Sequence, residues 1–365
     1  MLPNDFQPAR YQALLNEKTR RCTELFAPFT ELQPSVHDSP QDAFRMRAEF
    51  RIWHDGDDLF YAMFDKDNPK EPLRIDSYPF GSPTIQRLMP ALRTAIIDKP
   101  VLRERLFQIE FLTSTTEEAL VTLIYHKALS DDWEASARAL AKTLHCRIIG
   151  RSRKQKVVLN GSSISETLNI NDSSYHYRYY EQGFTQPNAA INIKMIEWVS
   201  QHLGDTSRDL IELYCGLGNF TLPLSQKFRR VLATEVAKSS VHAAHENIAL
   251  NNIENIAIAR LNAAETAQAL RGERAFKRLA ALPQTLGEYD FAAILVDPPR
   301  AGLDEDSLRL AQSINTIAYI SCNPDTLARD LEPLTQTHTI DAWAVFDQFP
   351  YTHHTECGVI LSKRP

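Results

Sequence analysis

The sequence predicts an α/β protein with two parts, an N-terminal α+β domain and a C-terminal domain with a mostly parallel, doubly wound sheet. The chain has 365 residues, which exceeds the usual length of one domain. Strand pairs and helices share the first half, whereas strands and helices alternate regularly from about residue 181. We therefore expect an N-terminal helix in residues 1–30 that packs on the C-terminal domain, an α+β domain over 31–180 and a doubly wound domain over 181–365.

Composition restricts the compartment and the kinds of bound group. No apolar run approaches the ~20 residues of a membrane span, and the polar N-terminus does not resemble a signal peptide. The five cysteines include no Cys-x-x-Cys, which argues against disulfides, metal sites and iron–sulfur clusters and favours a reducing cytoplasm. The net charge is −6, so any nucleic-acid binding has to use local basic patches.

The first half begins with a helix and a hairpin. Apolar residues recur at helical spacing over residues 8–29, and Pro28 ends that helix. Prolines and serines over 34–40 predict a loop. Alternation over 44–64, with a turn at Asp55–Asp58, predicts a β-hairpin. The polar face of this hairpin consists of Arg45, Arg47, Glu49 and Arg51. Two interpretations are open: an ordinary solvated surface, or a face that contacts phosphates and a base edge.

The rest of the first half predicts further helices and strands. Helices are expected over 83–98 and 130–144, and strands over 106–113, 119–126 and 148–150. The densest run of basic residues in the chain comes next and consists of Arg147, Arg151, Arg153, Lys154 and Lys156. It forms either a solvated edge or an edge that contacts phosphates.

The second half predicts a series of βαβ units. Helices are expected over 189–203, 221–228 and 239–251. The predicted strands cover 209–214, 231–235, 256–261, 289–296, 317–320, 343–346 and 356–361. Because ligands bind at the carboxyl ends of strands in such sheets, residues just after each strand are the candidate site residues.

A glycine pair follows the first of these strands. Gly216 and Gly218 separate strand from helix, and Glu235 ends the next strand. Such glycines let the backbone approach a cofactor, while the acid binds ribose hydroxyls. Position 221 is Thr where a dinucleotide site would use a third glycine, so the pattern that begins at Glu212 fits S-adenosylmethionine better. A purely structural turn is the alternative.

Two later strands end in chemically distinctive residues. The fourth strand of the second half ends in Asp297-Pro-Pro-Arg300, where two prolines fix the backbone. Cys322 ends the fifth strand, before a helix that we expect Asp325 to cap. A helix N-terminus favours a thiolate, which makes Cys322 a candidate nucleophile. The alternative is a small cysteine used for packing.

Together these motifs resemble a known family. The ordered set Cys-Gly-x-Gly-Asn-Phe, Asp-Pro-Pro-Arg-x-Gly-Leu, Ser-Cys-Asn-Pro and His-x-Glu-Cys-Gly-Val is similar to that of the RNA uracil-5-methyltransferases. Two further segments resemble the bacterial members that act on tRNA, namely Arg-Met-Arg-Ala-Glu-Phe-Arg-Ile-Trp-His-Asp-Gly over 45–56 and Phe-Thr-Gln-Pro-Asn over 184–188. The likeness runs from about residue 10 to the C-terminus. It implies a Rossmann-like methyltransferase domain with a seven-stranded sheet, and an N-terminal RNA-recognition domain.

The resemblance also implies residue roles. Cys322 would add to C6 of uracil, and Glu356 would remove the C5 proton after methyl transfer. The S-adenosylmethionine site would comprise Gln186, Tyr214, Gly216, Gly218, Asn219, Glu235 and Asp297. The RNA contacts would comprise Arg47, Glu49, Arg51, Phe107, His126 and Arg300, around a uridine flipped out of its loop.

The expected substrate is uridine 54 in the T-loop of tRNA, with tmRNA as a secondary substrate, and the expected oligomeric state is a monomer. Neither a metal nor an iron–sulfur cluster is expected. Three alternatives stay open at this point: methylation of uridine in ribosomal RNA, N-methylation of an exocyclic amine, which needs no cysteine, and a non-catalytic role as a tRNA-folding chaperone.

Overall fold

The chain forms two units in the computed structural model, which describes residues 1–65, 68–203 and 207–365. The first unit comprises Met1–Ala9, Pro40–Thr167 and Arg178–Ala189, and the second comprises Arg10–Ser39, Leu168–Tyr177 and Ala190–Pro365. The helices of the described residues include none that is both long and apolar enough to cross a membrane.

The secondary structure follows the predicted order closely. The helices are α1 (Tyr11–Phe26), α2 (Pro83–Ile97), α3 (Pro100–Arg103), α4 (Asp131–Leu144), α5 (Ala189–Leu203), α6 (Thr221–Leu224), α7 (Lys238–Leu250), α8 (Ala263–Leu270), α9 (Glu305–Ser313) and α10 (Pro324–Leu334). The strands of the first half are β1 (Ser35–His37), β2 (Arg47–Asp55), β3 (Asp58–Phe64), β4 (Pro72–Ile75), β5 (Leu106–Thr113), β6 (Ala119–Tyr125), β7 (Arg147–Ser152), β8 (Gln155–Val158), β9 (Ser163–Ile170) and β10 (Ser173–Tyr180). Those of the second half are β11 (Asp209–Leu213), β12 (Arg230–Thr234), β13 (Ile256–Ala259), β14 (Phe291–Val296), β15 (Thr316–Ser321), β16 (His338–Phe346) and β17 (Glu356–Lys363).

The first unit contains a sheet in the order β4-β3-β2-β5-β6-β7-β8. Strand β2 alternates as predicted, because Ala48, Phe50 and Ile52 are buried while Glu49 and Arg51 are exposed. The buried faces of α2 and α4 pack on this sheet. Serine hydroxyls cap both helices at their N-termini. The polar residues of β2 therefore lie on the sheet face opposite the buried side chains.

The second unit contains an eight-stranded sheet in the order β1-β16-β17-β15-β14-β11-β12-β13. Strands β11 to β15 pair in parallel where they are neighbours, whereas β17 runs antiparallel to β15 and β16. This confirms the predicted doubly wound α/β architecture. The strand order changes direction at β11, which places a ligand crevice at the carboxyl ends of β11 and β14.

Three details of the predicted elements need correction. Residues 34–40 are not all loop, because β1 pairs in parallel with β16 and adds an eighth strand. A three-residue strand is too short for alternation to reveal it. The sequence also did not reveal the β9–β10 ribbon. At α10 the capping residue is Asn323, whose side chain accepts from the backbone N–H of Asp325; Pro324 fills the first helical position.

Candidate active site

Three residues that directly follow parallel strands meet at one edge of the second unit's sheet. In the ladder, Leu213 pairs with Thr234 on one side and with Val296 on the other. The next residues, Tyr214, Glu235 and Asp297, therefore lie side by side at the carboxyl ends of β11, β12 and β14. The structure thus brings together three of the residues expected to bind the cofactor.

The glycine loop between β11 and α6 adopts left-handed backbone conformations. Gly218 has φ +90°, and a Cβ there would lie 2.6 Å from Leu222 Cδ1, so packing requires glycine. Gly216 has φ +56°, and a Cβ there would meet nothing within 4 Å. The Glu235 carboxylate accepts from the N–H of Gly216 at 3.1 Å and from that of Ala237 at 2.7 Å. Glu235 thus ties the glycine loop to the end of β12.

Two carboxyl groups at this edge are largely buried, and neither forms an ion pair within the described residues. Burial raises the pKa of Glu212 to about 8, and the charge of Asp297 adds to the rise. The Thr221 hydroxyl is near enough to offset part of it, but it lies outside hydrogen-bonding geometry. Asp297 keeps a small exposed fraction, yet burial raises its pKa to about 7. Both groups would be stabilised by a positively charged ligand or by a hydrogen-bond acceptor.

Asn219 is held by a residue that the sequence analysis did not identify. Its side-chain amide exchanges two hydrogen bonds with Asn192 of α5, at 2.7 and 2.9 Å. Its backbone carbonyl accepts from the Tyr177 hydroxyl at 3.1 Å. Asn192 is buried, and a buried amide on an otherwise apolar helix face was the signal that could have identified it. Asn219 therefore shapes the glycine loop through a fixed amide pair.

Gln186 lies in the first unit, between β10 and α5, and is half-buried. Its part in the cofactor site remains a prediction.

Cys322 and Glu356 are neighbours across the sheet edge. In the antiparallel ladder of β15 and β17, Ser321 pairs with Cys357. Continuing that register by one residue places Cys322 beside Glu356, the first residue of β17. Directly opposed residues have Cβ atoms about 4.5–5.5 Å apart. Cys322 is half-buried, whereas the other cysteines are buried.

A tight turn presents Cys322 at the strand end. The Ser321 hydroxyl accepts from the N–H of Asn323 at 3.2 Å and donates to its carbonyl at 3.1 Å. Asn323 also donates from its side chain to the Arg300 carbonyl at 3.2 Å. The cysteine therefore lies between two residues whose own hydrogen bonds fix its backbone.

The resting thiol is not activated, contrary to the expectation from its place beside a helix. Burial raises the pKa of Cys322 to about 11, and Glu356 and Asp297 add to the rise, while Arg300 opposes it. Burial likewise raises the pKa of Glu356 to about 8, with Asp297 contributing. Desolvation and nearby acids therefore outweigh the helix N-terminus. At neutral pH the pair rests largely as a thiol beside a carboxylic acid, and Glu356 has a pKa suited to proton transfer near neutrality.

Helix α10 fixes the loop that follows Asp297. Arg329 donates to the Ala301 carbonyl at 2.8 Å, and Asp330 accepts from the Leu303 N–H at 2.8 Å. Asp330 is buried and also accepts from the Tyr319 hydroxyl at 2.7 Å. A Cβ on Gly302, which has φ +77°, would lie 2.5 Å from Asp330. The loop that carries the exposed Arg300 is thus held from the same helix that begins beside Cys322.

The residues expected to contact RNA differ in whether other groups of the protein already bind their side chains. Arg47 donates to the backbone carbonyls of Glu181 and Gly183, so it is already used to hold that segment. Glu49 lies directly opposite Glu110 on β5. Burial, together with the charge of Glu49, raises the pKa of Glu110. The exposed carboxylate of Glu49 is therefore available as an acceptor for a base edge or a cation.

Arg51, Phe107 and His126 form one stacked column on the first unit. The Arg51 guanidinium lies 3.7 Å from the centre of the Phe107 ring. Phe107 stacks on His126 with ring centres 3.9 Å apart and planes 26° apart. The ladder shifts register between Leu106 and Gln108. This irregularity leaves Phe107 outside the pairing. The three side chains thus form an aromatic and cationic platform of the kind on which unpaired bases stack.

Comparison with known proteins points to one family. A family model described as tRNA (Uracil-5-)-methyltransferase matches residues 10–364. A relative from Acinetobacter baylyi, named tRNA/tmRNA (uracil-C(5))-methyltransferase, is 50% identical over 354 residues, covering 96% of this chain and 98% of its own. A relative of the same name from Proteus mirabilis is 47% identical over the whole of both chains.

A solved structure shares the fold. The Pyrococcus abyssi tRNA (uracil-54, C5)-methyltransferase, in complex with S-adenosyl-L-homocysteine, superposes with a TM-score of 0.71 at 21% identity. The match covers 96% of this chain and 83% of that one.

Proposed function

The chain belongs to the tRNA (uracil-5-)-methyltransferase family, and we propose that it transfers a methyl group from S-adenosylmethionine to C5 of a uridine in tRNA. The observation that carries this proposal is the pairing of half-buried Cys322 with the buried carboxyl group of Glu356 at the ligand edge of the sheet. We propose uridine 54 of the T-loop as the target and tmRNA as a second substrate, in keeping with the names of the relatives.

The sheet edge fits S-adenosylmethionine. Asp297 and Glu212 are largely buried acids with no ion pair among the described residues, and the space beside Gly216 is open. Glu235 would hold ribose hydroxyls, while Tyr214, Gly218 and the Asn219 loop would shape the pocket. When bound, S-adenosylmethionine supplies an electrophilic methyl group on a sulfonium.

Cys322 supplies the nucleophile in the proposed reaction. Its sulfur bonds to C6 of uracil, and the C5=C6 electron pair moves towards the O4 carbonyl as an enolate. Carbon C5 then takes the methyl group. Because the thiol has a pKa of about 11, its proton must pass to solvent as the sulfur attacks, which the half-buried position of Cys322 allows. The approach of a cationic methyl donor would favour that loss.

Glu356 acts as the base that ends the cycle. Glu356 must first release its own proton to solvent. Its carboxylate then takes the proton from C5, the C5=C6 bond re-forms, and the bond between Cys322 and C6 breaks with return of the electron pair to sulfur. A pKa near 8 suits a group that must both hold and release a proton at neutral pH.

We propose that the RNA is bound on the first unit. The column of Arg51, Phe107 and His126 offers faces on which the bases of an opened loop can stack. Glu49 offers an acceptor to a base edge, and Arg47 orders the segment that precedes α5. On the second unit, Arg300 is exposed on the loop after Asp297 and would contact the target nucleotide or its phosphate.

A T-arm hairpin with 5-fluorouridine at position 54 tests this proposal, because fluorine cannot be removed as a proton. With S-adenosylmethionine, the wild-type protein should form a covalent complex that survives a denaturing gel. Cys322→Ala should form none and should not methylate the uridine hairpin, whereas Cys146→Ala should retain both properties.

Two results would contradict the mechanism. Methylation by Cys322→Ala would indicate N-methylation of an exocyclic amine, which needs no cysteine. Loss of S-adenosylmethionine binding by Cys322→Ala would mean that the cysteine is structural.

A further inference from the structure

A groove on the first unit lies beside the stacked column and has no part in the reaction described above. Its volume is about 750 Å³, and its wall is formed by the end of β6, the turn after it and the β7–β8 hairpin. His126 belongs both to this groove and to the stacked column. A strand of RNA whose base stacks on the column would therefore meet this groove next.

The groove carries three cationic side chains, Lys127, Arg151 and Arg153. Arg151 forms an ion pair with the buried carboxylate of Glu181. Lys127 donates to the Val101 carbonyl at 3.1 Å and lies 3.6 Å from an exposed glutamate. Both cations are thus held in place by other groups, with about a quarter of each side chain exposed.

Arg153 differs from these two cations. It is exposed, and it makes no ion pair or hydrogen bond within residues 1–65, 68–203 and 207–365. An arginine without an internal partner, at the rim of a groove whose other cations are anchored, is placed to bind an external anion.

The groove is preformed. The Gln155 side chain accepts from the Leu129 N–H at 2.9 Å and donates to the Leu129 carbonyl at 2.8 Å. The Ser152 hydroxyl donates to the Lys127 carbonyl. These bonds join the β7–β8 hairpin to the turn after β6, so a ligand would meet walls that are already ordered.

We propose that this groove binds the phosphodiester backbone of the substrate RNA, next to the nucleotide that stacks on Phe107 and His126. The inference rests on the proposed function, and it adds a phosphate-binding subsite centred on Arg153 to that function. Phosphate is the anion that a forked guanidinium and a lysine recognise together without reading sequence. The site should therefore contribute affinity and position without choosing among bases.

Charge reversal at Arg153 tests the proposal in the full-length protein. The probe is an unmodified tRNA transcript, and the dissociation constant is measured over a series of salt concentrations. Arg153→Glu should weaken binding about tenfold and lower the slope of log K against log salt by about one. The kcat at saturating tRNA should not change, because Arg153 contacts no reacting atom.

Arg87→Glu is the matched control. Arg87 is likewise exposed, but it lies on α2, in the helix layer that packs on the sheet. The Arg87→Glu variant should bind tRNA with the affinity of the wild type. Both Arg87→Glu and Arg153→Glu should have the melting temperature of the wild type.

Equal affinities and salt slopes for the two variants would overturn the phosphate subsite while leaving methylation intact. A wild-type protein that binds tRNA but never methylates it would instead contradict the proposed function.

Discussion

The two ends of the second unit's sheet treat buried carboxyl groups in opposite ways. At the amino end, Asp209 is buried, yet hydrogen bonds from Arg229 and Arg230 overcome the effect of burial and lower its pKa to about 2. At the carboxyl end, burial raises the pKa of Glu212 and Glu356 to about 8, and no ion pair compensates either group within the described residues. One end therefore uses an acid to stabilise the fold, whereas the acids at the other end are desolvated and have no such partner among the described residues.

The difference shows how the same side chain acquires two roles. A carboxylate with full hydrogen bonding contributes to folding, and removing it exposes the unpaired charge of its partners. A carboxyl group that is desolvated without a partner costs stability but can take or release a proton near neutral pH. The predictions below test that contrast.

Glu356→Gln should have the largest effect on the reaction. Glutamine keeps the size of the side chain but cannot take the C5 proton, so we expect kcat to fall about 10²- to 10⁴-fold. The covalent complex with ordinary uridine RNA, carrying the new methyl group, should accumulate and appear as a slow band on a denaturing gel. An inactive variant without this complex would move the base role to another residue.

Asp209→Asn should have the largest effect on stability. The change removes the charge that accepts hydrogen bonds from Arg229, Arg230 and the N–H of Asp290. We expect the free energy of unfolding to fall by about 2–4 kcal/mol at pH 7, measured by urea denaturation. The wild type should lose this contribution as pH falls from about 4 to 2, since the folded pKa lies below the unfolded value. An unchanged free energy of unfolding in Asp209→Asn would mean that solvent satisfies the two arginines as well as the Asp209 carboxylate does.

Glu212 should give the free energy of unfolding a pH dependence opposite in sign to that of Asp209, and Glu212→Gln should remove it. The folded carboxyl group holds its proton up to a pH of about 8, whereas the unfolded one loses it near 4.5. Stability therefore falls as pH rises through this window, by up to about 1.4 kcal/mol per pH unit for one proton. The variant should show a flatter decline between pH 5 and 8 than the wild type. An unchanged slope would show that Glu212 does not carry this proton.

The smallest expected effect is on the reactivity of the Cys322 thiol. Asp297 is among the charges that raise the pKa of Cys322, after burial and Glu356. Asp297→Asn should therefore speed alkylation of Cys322 by iodoacetamide at pH 8 about two- to threefold, as followed by mass spectrometry. Glu212→Gln, a change at the same sheet edge, should leave the rate unchanged. Equal rates in both variants would show that Asp297 does not act on the sulfur.

Much of the fold could be predicted because each signal was local. The turn at Asp55–Asp58, the bounds of α5 and the strand tips at Tyr214 and Glu235 depend on neighbouring residues in the chain. The strand β1 depends instead on a partner about 300 residues away, and three residues carry no periodicity that reveals it.

The sequence predicted candidate residues for the site but not their electrostatics. Motif order indicated Cys322 and Glu356, whereas their adjacency arises from the β15–β17 register, which no local pattern encodes. The helix after Cys322 suggested an acidic thiol, yet the pKa is high because burial and two acids that are distant only in sequence, Glu356 and Asp297, act on it. Likewise, no sequence pattern indicates that the Arg47 guanidinium donates its hydrogen bonds to backbone carbonyls.

Helix α10 supports both the Cys322 turn and the loop that carries Arg300. Asn323 at its N-terminus fixes the backbone beside Cys322, and Arg329 and Asp330 further along hold the loop of Arg300, which follows the neighbouring strand. A cysteine grafted alone onto another doubly wound sheet would therefore arrive without the arginine that opposes its high pKa. The transferable unit is the strand, the helix and the loop together, and we expect an attempt to build this chemistry elsewhere to succeed only when all three are moved as one piece.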